Sequence, residues 1–281
     1  SLHVCGAPMR LFSWGWDLET KSRKRILIGR EAVLGLIRQR YETKGDTRMG
    51  ELIDYDFGGT TYEGYLAKPS GGPAPLVLVG HAWGGQGDFE RKAADELAGK
   101  GYAAVAADVY GKGIRGSSPE ENEKLMTPLV SDRAELQSRL AAALNAGLDR
   151  DGVNGKAAAL GFCFGGLCVL DMARAGQAVQ GVASFHGLLG GADNLPSPKI
   201  SAKVLALHGW DDPMATPENV MEFSKEMTSA EADWQLYAYG GTSHAFTNPE
   251  AQDAANGMQY RADITRRAWA ACDDLLAEVL A

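Results

Sequence analysis

Ala159-Leu160-Gly161-Phe162-Cys163-Phe164-Gly165-Gly166 is an apolar run that breaks at one glycine, carries a thiol, and resumes after two more glycines. A nucleophile elbow has this shape: the reactive residue sits on a strained strand-to-helix turn, and its neighbours must be glycine because side chains there would clash. Here the nucleophile would be sulfur. A structural cysteine packed beneath a glycine-rich turn has the same local pattern, since free cysteine is among the most buried residue types. The segment therefore needs partners elsewhere in the chain to be read as chemistry.

On both sides of it the sequence alternates as an α/β protein does. Leu52 to Phe57 and Thr61 to Ala67 read as two strands joined at Gly58-Gly59, a strong hairpin signal. Leu76 to Val79 is an all-apolar strand of the kind buried on both faces of a parallel sheet. Further strands are expected over Tyr102 to Val109, Ala157 to Phe162, Val179 to Phe185, Lys203 to His208 and Trp234 to Tyr239. Helices are expected over Phe89 to Gly99, Ser131 to Leu148 with Ser131 as N-cap, Leu167 to Ala175, Glu218 to Met227 and Tyr260 to Leu280. Alternation of this kind implies right-handed crossovers and a mostly parallel, twisted sheet with helices on both faces, whose ligands bind at the C-terminal strand ends.

Residues 1–46 stand apart in composition, with nine Lys or Arg against five Asp or Glu, a net +4 where the rest of the chain carries −12. They are taken as a basic N-terminal extension, with the catalytic domain over 47–281. Within the extension, Ser22 to Tyr41 has the spacing of a moderately amphipathic helix, suited to packing on the body, to a subunit contact or to a partner.

Composition narrows the function classes. A net charge of −8 argues against a nucleic-acid surface, which needs clustered Lys and Arg. No apolar run approaches the ~18 residues that span a bilayer, and the N-terminus has no signal-peptide order. The four cysteines, Cys5, Cys163, Cys168 and Cys272, have neither metal-ligand spacing nor the density of a disulfide scaffold. A cytoplasmic protein without metal or organic cofactor is expected, acting on a small molecule as a monomer or homodimer.

Two further groups fall at strand ends. Asp211-Asp212 follow Leu207-His208-Gly209, and His244 follows Tyr239-Gly240-Gly241. The chain order of nucleophile, acid, histidine is that of α/β-hydrolases. A thiol needs a base to form thiolate, and a carboxylate fixes the tautomer of that base. Asp212 is preferred over Asp211, because in Gly-x-x-Asp-Pro the acid stands three residues past the glycine. An oxyanion hole needs two backbone N–H groups: one from Phe164, at a helix N-terminus, and one from Trp83 in the turn Gly80-His81-Ala82-Trp83-Gly84-Gly85. His81 and His208 read as structural, Cys168 as core, and His186 as a candidate pocket residue. Trp83, Tyr110, Phe164, Trp210 and Phe246 are candidate pocket walls.

From about Glu51 onward the chain resembles the dienelactone hydrolase family, the carboxymethylenebutenolidase-like α/β-hydrolases with a cysteine nucleophile. The resemblance rests on Gly64-Tyr65-Leu66-Ala67 with Pro69, His81-Ala82-Trp83-Gly84-Gly85, Asp108-Val109-Tyr110-Gly111, Gly161-Phe162-Cys163-Phe164-Gly165-Gly166, His208-Gly209-Trp210-Asp211-Asp212-Pro213 and His244-Ala245-Phe246. It implies the α/β-hydrolase fold, a Cys163-Asp212-His244 triad, oxyanion donors at Trp83 and Phe164, and hydrolysis of small activated esters or lactones through a thioester. That family carries a glutamate beside the resting thiol where this chain has Ala82. The positions of its two carboxylate-binding arginines fall on Lys112 and Asn248, so Lys112, Asn248 and His186 are the expected substrate contacts. The competing reading is a ligand-binding or thiol redox-sensing module on the same fold.

Overall fold

The computed structural model describes residues 12–17, 22–27, 50–192, 194–195 and 199–281. The chain divides into two compact units, Ser1–Thr47 and Arg48–Ala281. In the first, β1 (Phe12–Asp17) and β2 (Ser22–Leu27) pair antiparallel, with Phe12 opposite Leu27 and Asp17 opposite Ser22. The helix expected from Ser22 does not begin there. Ser22–Leu27 is a strand, paired with a segment rich in the β-forming aromatics Phe12, Trp14 and Trp16. The rest of the expected helix, 28–41, lies outside the described residues.

The second unit is built on an eight-stranded sheet, in spatial order β10-β9-β8-β7-β5-β6-β4-β3. Its strands are β3 (Gly50–Phe57), β4 (Thr60–Ala67), β5 (Ala74–Gly80), β6 (Ala103–Ala106), β7 (Val153–Phe162), β8 (Gly181–Phe185), β9 (Lys203–Gly209) and β10 (Trp234–Tyr239). From β6 to β10 all neighbours are parallel, while β3 and β4 form an antiparallel hairpin at one edge, turned by Gly58 and Gly59 at φ 59° and 79°. Positive φ at both central residues matches the right-handed twist of a two-residue hairpin.

Apolar residues on β5 alternate between two cores. Leu76 and Leu78 pack with α3 (Arg133–Leu148) and α4 (Phe164–Arg174), through Leu136, Leu140 and Leu167. Val77 and Val79 face α1 (Asp88–Gly99) and α6 (Ala262–Leu280), through Ala94, Leu97, Ala268 and Leu276. Fully burying an aliphatic side chain of this size contributes about 1.5–3 kcal/mol, so a central strand apolar on both faces is what the two helix layers require. The remaining helices are α2 (Pro119–Ser131) and α5 (Pro217–Ser229).

The helix predicted over Ser131–Leu148 is α3, which begins at Arg133, and a separate helix, α2, precedes it. Ser118 caps α2, which carries Pro119 at its start, and Asp132 rather than Ser131 caps α3 by accepting the Glu135 N–H. Helix α2 has only Leu129 buried, so it lacks the apolar stripe that marks a helix in sequence. Among the described residues no helix is long and apolar enough to cross a membrane.

From β5 the chain passes to β6 on one side and then returns to β7 on the other. The crevice at such a switch point, past the strand C-termini, is where open α/β sheets bind ligands.

Candidate active site

Cys163 directly follows β7 and is the N-cap of α4, with φ 55° and ψ −116°. A non-glycine residue held there costs roughly 1–3 kcal/mol, which the surrounding structure must supply. The Cys163 N–H donates to Phe185 O at 3.1 Å, and its carbonyl accepts from Gly166 N and Leu167 N at 3.0 and 3.3 Å. The flanking glycines are demanded by contact. A Cβ on Gly161 would strike the Gly165 carbonyl, and one on Gly165 would strike the Gly80 carbonyl, so β5, β7 and α4 meet backbone to backbone beneath the sulfur.

His244 follows β10, and its backbone is pinned on both sides. Its N–H donates to Gly257 O at 2.9 Å and its carbonyl accepts from Gln259 N at 3.1 Å, which ties it to a small hairpin of β11 (Gln252–Asp253) and β12 (Met258–Gln259). The Nδ1–H donates to Asp212 Oδ2 at 2.7 Å, and Asp212 Oδ1 accepts from Met214 N at 2.8 Å. Both side chains are buried, whereas Asp211 is exposed. His244 Nε2 makes no hydrogen bond of ordinary geometry, yet the Cys163 sulfur lies close enough to act on the ring. Burial disfavours the imidazolium, but the sulfur and the Asp212 carboxylate outweigh it and raise the His244 pKa to about 10.

The turn after β5 supplies the opposite side. Gly85, at φ 96°, donates to Ala82 O at 3.1 Å, and Tyr110 Oη donates to Trp83 O at 2.8 Å. Neither the Trp83 N–H nor the Phe164 N–H donates to an acceptor among the described residues. One residue here was not singled out from the sequence. Glu90, on the first turn of α1, accepts from Ala82 N at 3.2 Å through Oε1 and from Gly87 N at 2.9 Å through Oε2. Its carboxyl is buried, and burial raises its pKa. An acid from eight residues downstream of Ala82 thus holds the backbone N–H of that residue and lines the same cavity as Cys163. The only trace in sequence is a Glu three residues into a helix, which reads as an ordinary cap.

Cys163, His244, Trp83, Ala82 and Glu90 line one cavity of about 610 Å³, together with Phe89, Met126, Phe162, His186, Leu188, Met214, Asn248 and Met258. His186 stands on its wall with Nε2 2.7 Å from Thr247 Oγ1, its ring edge-on to His244 at 5.0 Å. Burial and then the charge of His244 push its pKa well below the usual value, so it is neutral. Asn248 is also on the wall, with Oδ1 accepting from Glu250 N at 3.0 Å.

Lys112 is not at the cavity. It lies between Gly111 and Gly113, at φ 123° and 77°, in a loop that folds back on the β3–β4 hairpin, where its N–H donates to Thr61 O. Its ammonium meets Asp54 at 2.5 Å and Glu63 at 3.7 Å. The expected substrate contact from Lys112 is therefore corrected: the glycines turn the chain away and two acids hold the charge. Of the expected aromatic walls only Trp83 lines the cavity. Phe164 and Phe246 are core, Tyr110 props the turn, and Trp210 is exposed. His81 braces the same turn, with Nδ1 2.6 Å from Ala82 O, and burial lowers its pKa to about 4. Cys168 is buried, and Cys163, Cys168 and Cys272 are all free thiols. Among the described residues no group of three or more His, Cys, Asp or Glu is placed to hold a metal ion.

Comparison with known proteins agrees with this architecture. The sequence profile of the dienelactone hydrolase family matches residues 62–280. The solved structure m3DLH is 34% identical, covers 83% of this chain and 98% of its own, and superposes with a TM-score of 0.77. P91, described as a dienelactone hydrolase-like promiscuous phosphotriesterase from metagenomic libraries, is 32% identical with the same coverage and a TM-score of 0.78. The Caenorhabditis elegans protein K02A2.1 is 35% identical over 158 residues, which are 54% of this chain and all of that protein.

Proposed function

The chain belongs to the dienelactone hydrolase family, and on that premise we propose that it hydrolyses small activated esters or lactones with Cys163 as nucleophile, His244 as base and Asp212 as its orienting acid. The observation that carries this reading is the 2.7 Å bond from His244 Nδ1 to Asp212, with Nε2 left free on the Cys163 side of a shared cavity.

The chemistry runs in two halves. His244, whose pKa is raised to about 10 beside the sulfur and Asp212, takes the proton of Cys163. The thiolate attacks the carbonyl carbon, and the oxyanion is held by the Trp83 and Phe164 N–H groups, aided by the N-terminal dipole of α4. His244 gives its proton to the departing alkoxide, leaving a thioester on Cys163. Once the sulfur is acylated its charge is gone, so the influence that held the proton on His244 is removed and the ring becomes a base. It takes a proton from water, hydroxide attacks the thioester carbonyl, and acid and thiolate are regenerated. Thiolate leaves more readily than an alkyl alkoxide, so ordinary alkyl esters return to reactant, and enol lactones, aryl esters or thioesters are the better substrates.

A panel of such substrates, with a para-nitrophenyl phosphotriester added because of the similarity to P91, tests the reading on wild type, Cys163→Ala and His244→Ala. Turnover by wild type, an acyl adduct on Cys163 seen by mass spectrometry, and loss in both variants are expected. If wild type turns over nothing while Cys163 is rapidly alkylated, the thiol is a sensor or ligand contact and the hydrolase reading fails.

A further inference from the structure

The charge on the cavity wall is one-sided. Its ionisable lining residues, apart from Cys163 and the two histidines, are Glu90, Glu250 and Asp253, and no Lys or Arg lines it among the described residues. The nearby cations are committed elsewhere. Arg115 lies behind the turn, bound to Gln86 O, Gln86 Oε1, Ile114 O and Asp108, and Lys112 is held by Asp54 and Glu63 on another face. His186 is neutral. His244 gives Nδ1 to Asp212, which leaves only Nε2 facing the sulfur. Asn248 and Gln252 are its neutral polar residues, and most of the remaining wall is apolar: Trp83, Phe89, Met126, Phe162, Leu188, Met214 and Met258.

Resting on the hydrolase reading above, we propose that this cavity selects uncharged substrates with apolar acyl groups and turns away esters and lactones that carry a carboxylate. A carboxylate entering here gives up its hydration and finds no Lys or Arg on the wall, only the neutral amides of Asn248 and Gln252. It also meets the acidic side chains of Glu90, hydrogen-bonded to the Ala82 and Gly87 N–H groups, and of Asp253, hydrogen-bonded to Asn256. Among the described residues, the electropositive features of the wall are the helix N-terminus at Phe164 and the His244 ring, which act at the reacting carbonyl, where charge develops in the transition state. The site is therefore arranged to stabilise charge at one atom and to exclude it from the rest of the ligand. Specificity of this kind comes as much from the unpaired charge denied to the wrong substrate as from contacts with the right one.

The test is a matched pair of para-nitrophenyl adipates at neutral pH, one with its far end a methyl ester and one a free carboxylate. The neutral ester is expected to have the higher kcat/KM by about a hundredfold, mostly through KM, the scale of a like-charge mismatch in a desolvated site. Leu188→Arg, or Met126→Lys should the first variant not fold, is expected to narrow the gap at least ~tenfold by supplying the missing cation. Equal kcat/KM for the two esters, a faster anionic ester, or no narrowing in either variant overturns the specificity proposal and leaves the hydrolase reading intact. No turnover of either ester overturns the hydrolase reading. Specificity is then decided by alkylation of Cys163 with maleimidohexanoic acid and with its methyl ester, followed by peptide mass spectrometry and normalised to glutathione. A slower acid supports the charge exclusion, and equal rates overturn it.

Discussion

Glu90 accepts the Ala82 N–H at 3.2 Å, and that bond ties a carboxylate on α1 to the residue before Trp83. Its other oxygen takes the Gly87 N–H at 2.9 Å, so one buried side chain spans the whole turn. A glutamine can accept on only one side. Hydrogen bonds to charged groups contribute about 1.5–3 kcal/mol each, and only part of that loss reaches the reacting carbonyl through Trp83. Glu90→Gln is expected to lower kcat about tenfold with little change in KM. Steady-state kinetics on an activated aryl ester check this, and an unchanged kcat would show that the turn holds its shape without the acid.

His244 offers a reading of the resting charge state. Its pKa of about 10 is raised against burial by the Cys163 sulfur and Asp212. Removing the sulfur in Cys163→Ala removes the foremost of the two raising influences and leaves the burial cost, so the pKa falls. An NMR titration should find His244 protonated throughout the neutral range in wild type and losing its proton at lower pH in the variant. Identical titration curves would mean that the sulfur is not the anion assumed in the mechanism.

The two adjacent acids at the end of β9 have opposite environments. Asp212 is buried and bonded to His244, while Asp211 is exposed. Asp212→Asn is expected to cost at least ~10²-fold in kcat/KM, by analogy with loss of the orienting acid in other triads. Asp211→Asn should stay within about twofold, as exposed substitutions away from a site do. Comparable losses in the two variants would contradict the assignment.

Asp171 is fully buried between Arg133 at 2.6 Å and Arg174 at 2.9 Å, and Arg174 continues to Glu226 at 2.7 Å and to Leu189 O at 2.8 Å. Asp171→Ala leaves two buried guanidiniums facing each other without their shared anion. Breaking such a network by deleting one partner costs about 3–5 kcal/mol. Urea denaturation measures it, and a loss below about 1 kcal/mol would place the pair in the class of weak surface ion pairs.

Close backbone approach under the elbow gives a prediction about folding. Gly165→Ala drives a methyl into the Gly80 carbonyl, and overpacking of a site that cannot yield costs about 3 kcal/mol or more. Gly71→Ala, which meets nothing, is the control. Equal thermal midpoints for the two variants would show that β5 and α4 can separate cheaply.

The strands that build the sheet were legible because each is a short apolar run with turn residues at its ends. The chain order of Cys163, Asp212 and His244 was legible because strand ends are visible in sequence even when pairing is not. What escaped reading was set by space rather than by pattern. Glu90 looks like a helix cap until the fold brings α1 against the β5 turn. Lys112 looks available until Gly111 and Gly113 steer it to Asp54. Helix α2 carries one buried residue and so leaves no periodic trace. Phe164 and Phe246 were expected at the cavity and are core, because aromatics near strand ends pack inward and outward with the same spelling.

His244 shares its backbone with the β11–β12 hairpin, and that hairpin also contributes Gln252, Asp253 and Met258 to the cavity wall. Reactivity and substrate fit are therefore inherited together on that side: an insertion that reshapes the hairpin also displaces the imidazole. Met126 and Leu188, on α2 and the loop after β8, carry no such obligation. Divergence toward new substrates is freer there, so relatives that differ in specificity should vary at those two positions while keeping the hairpin's length.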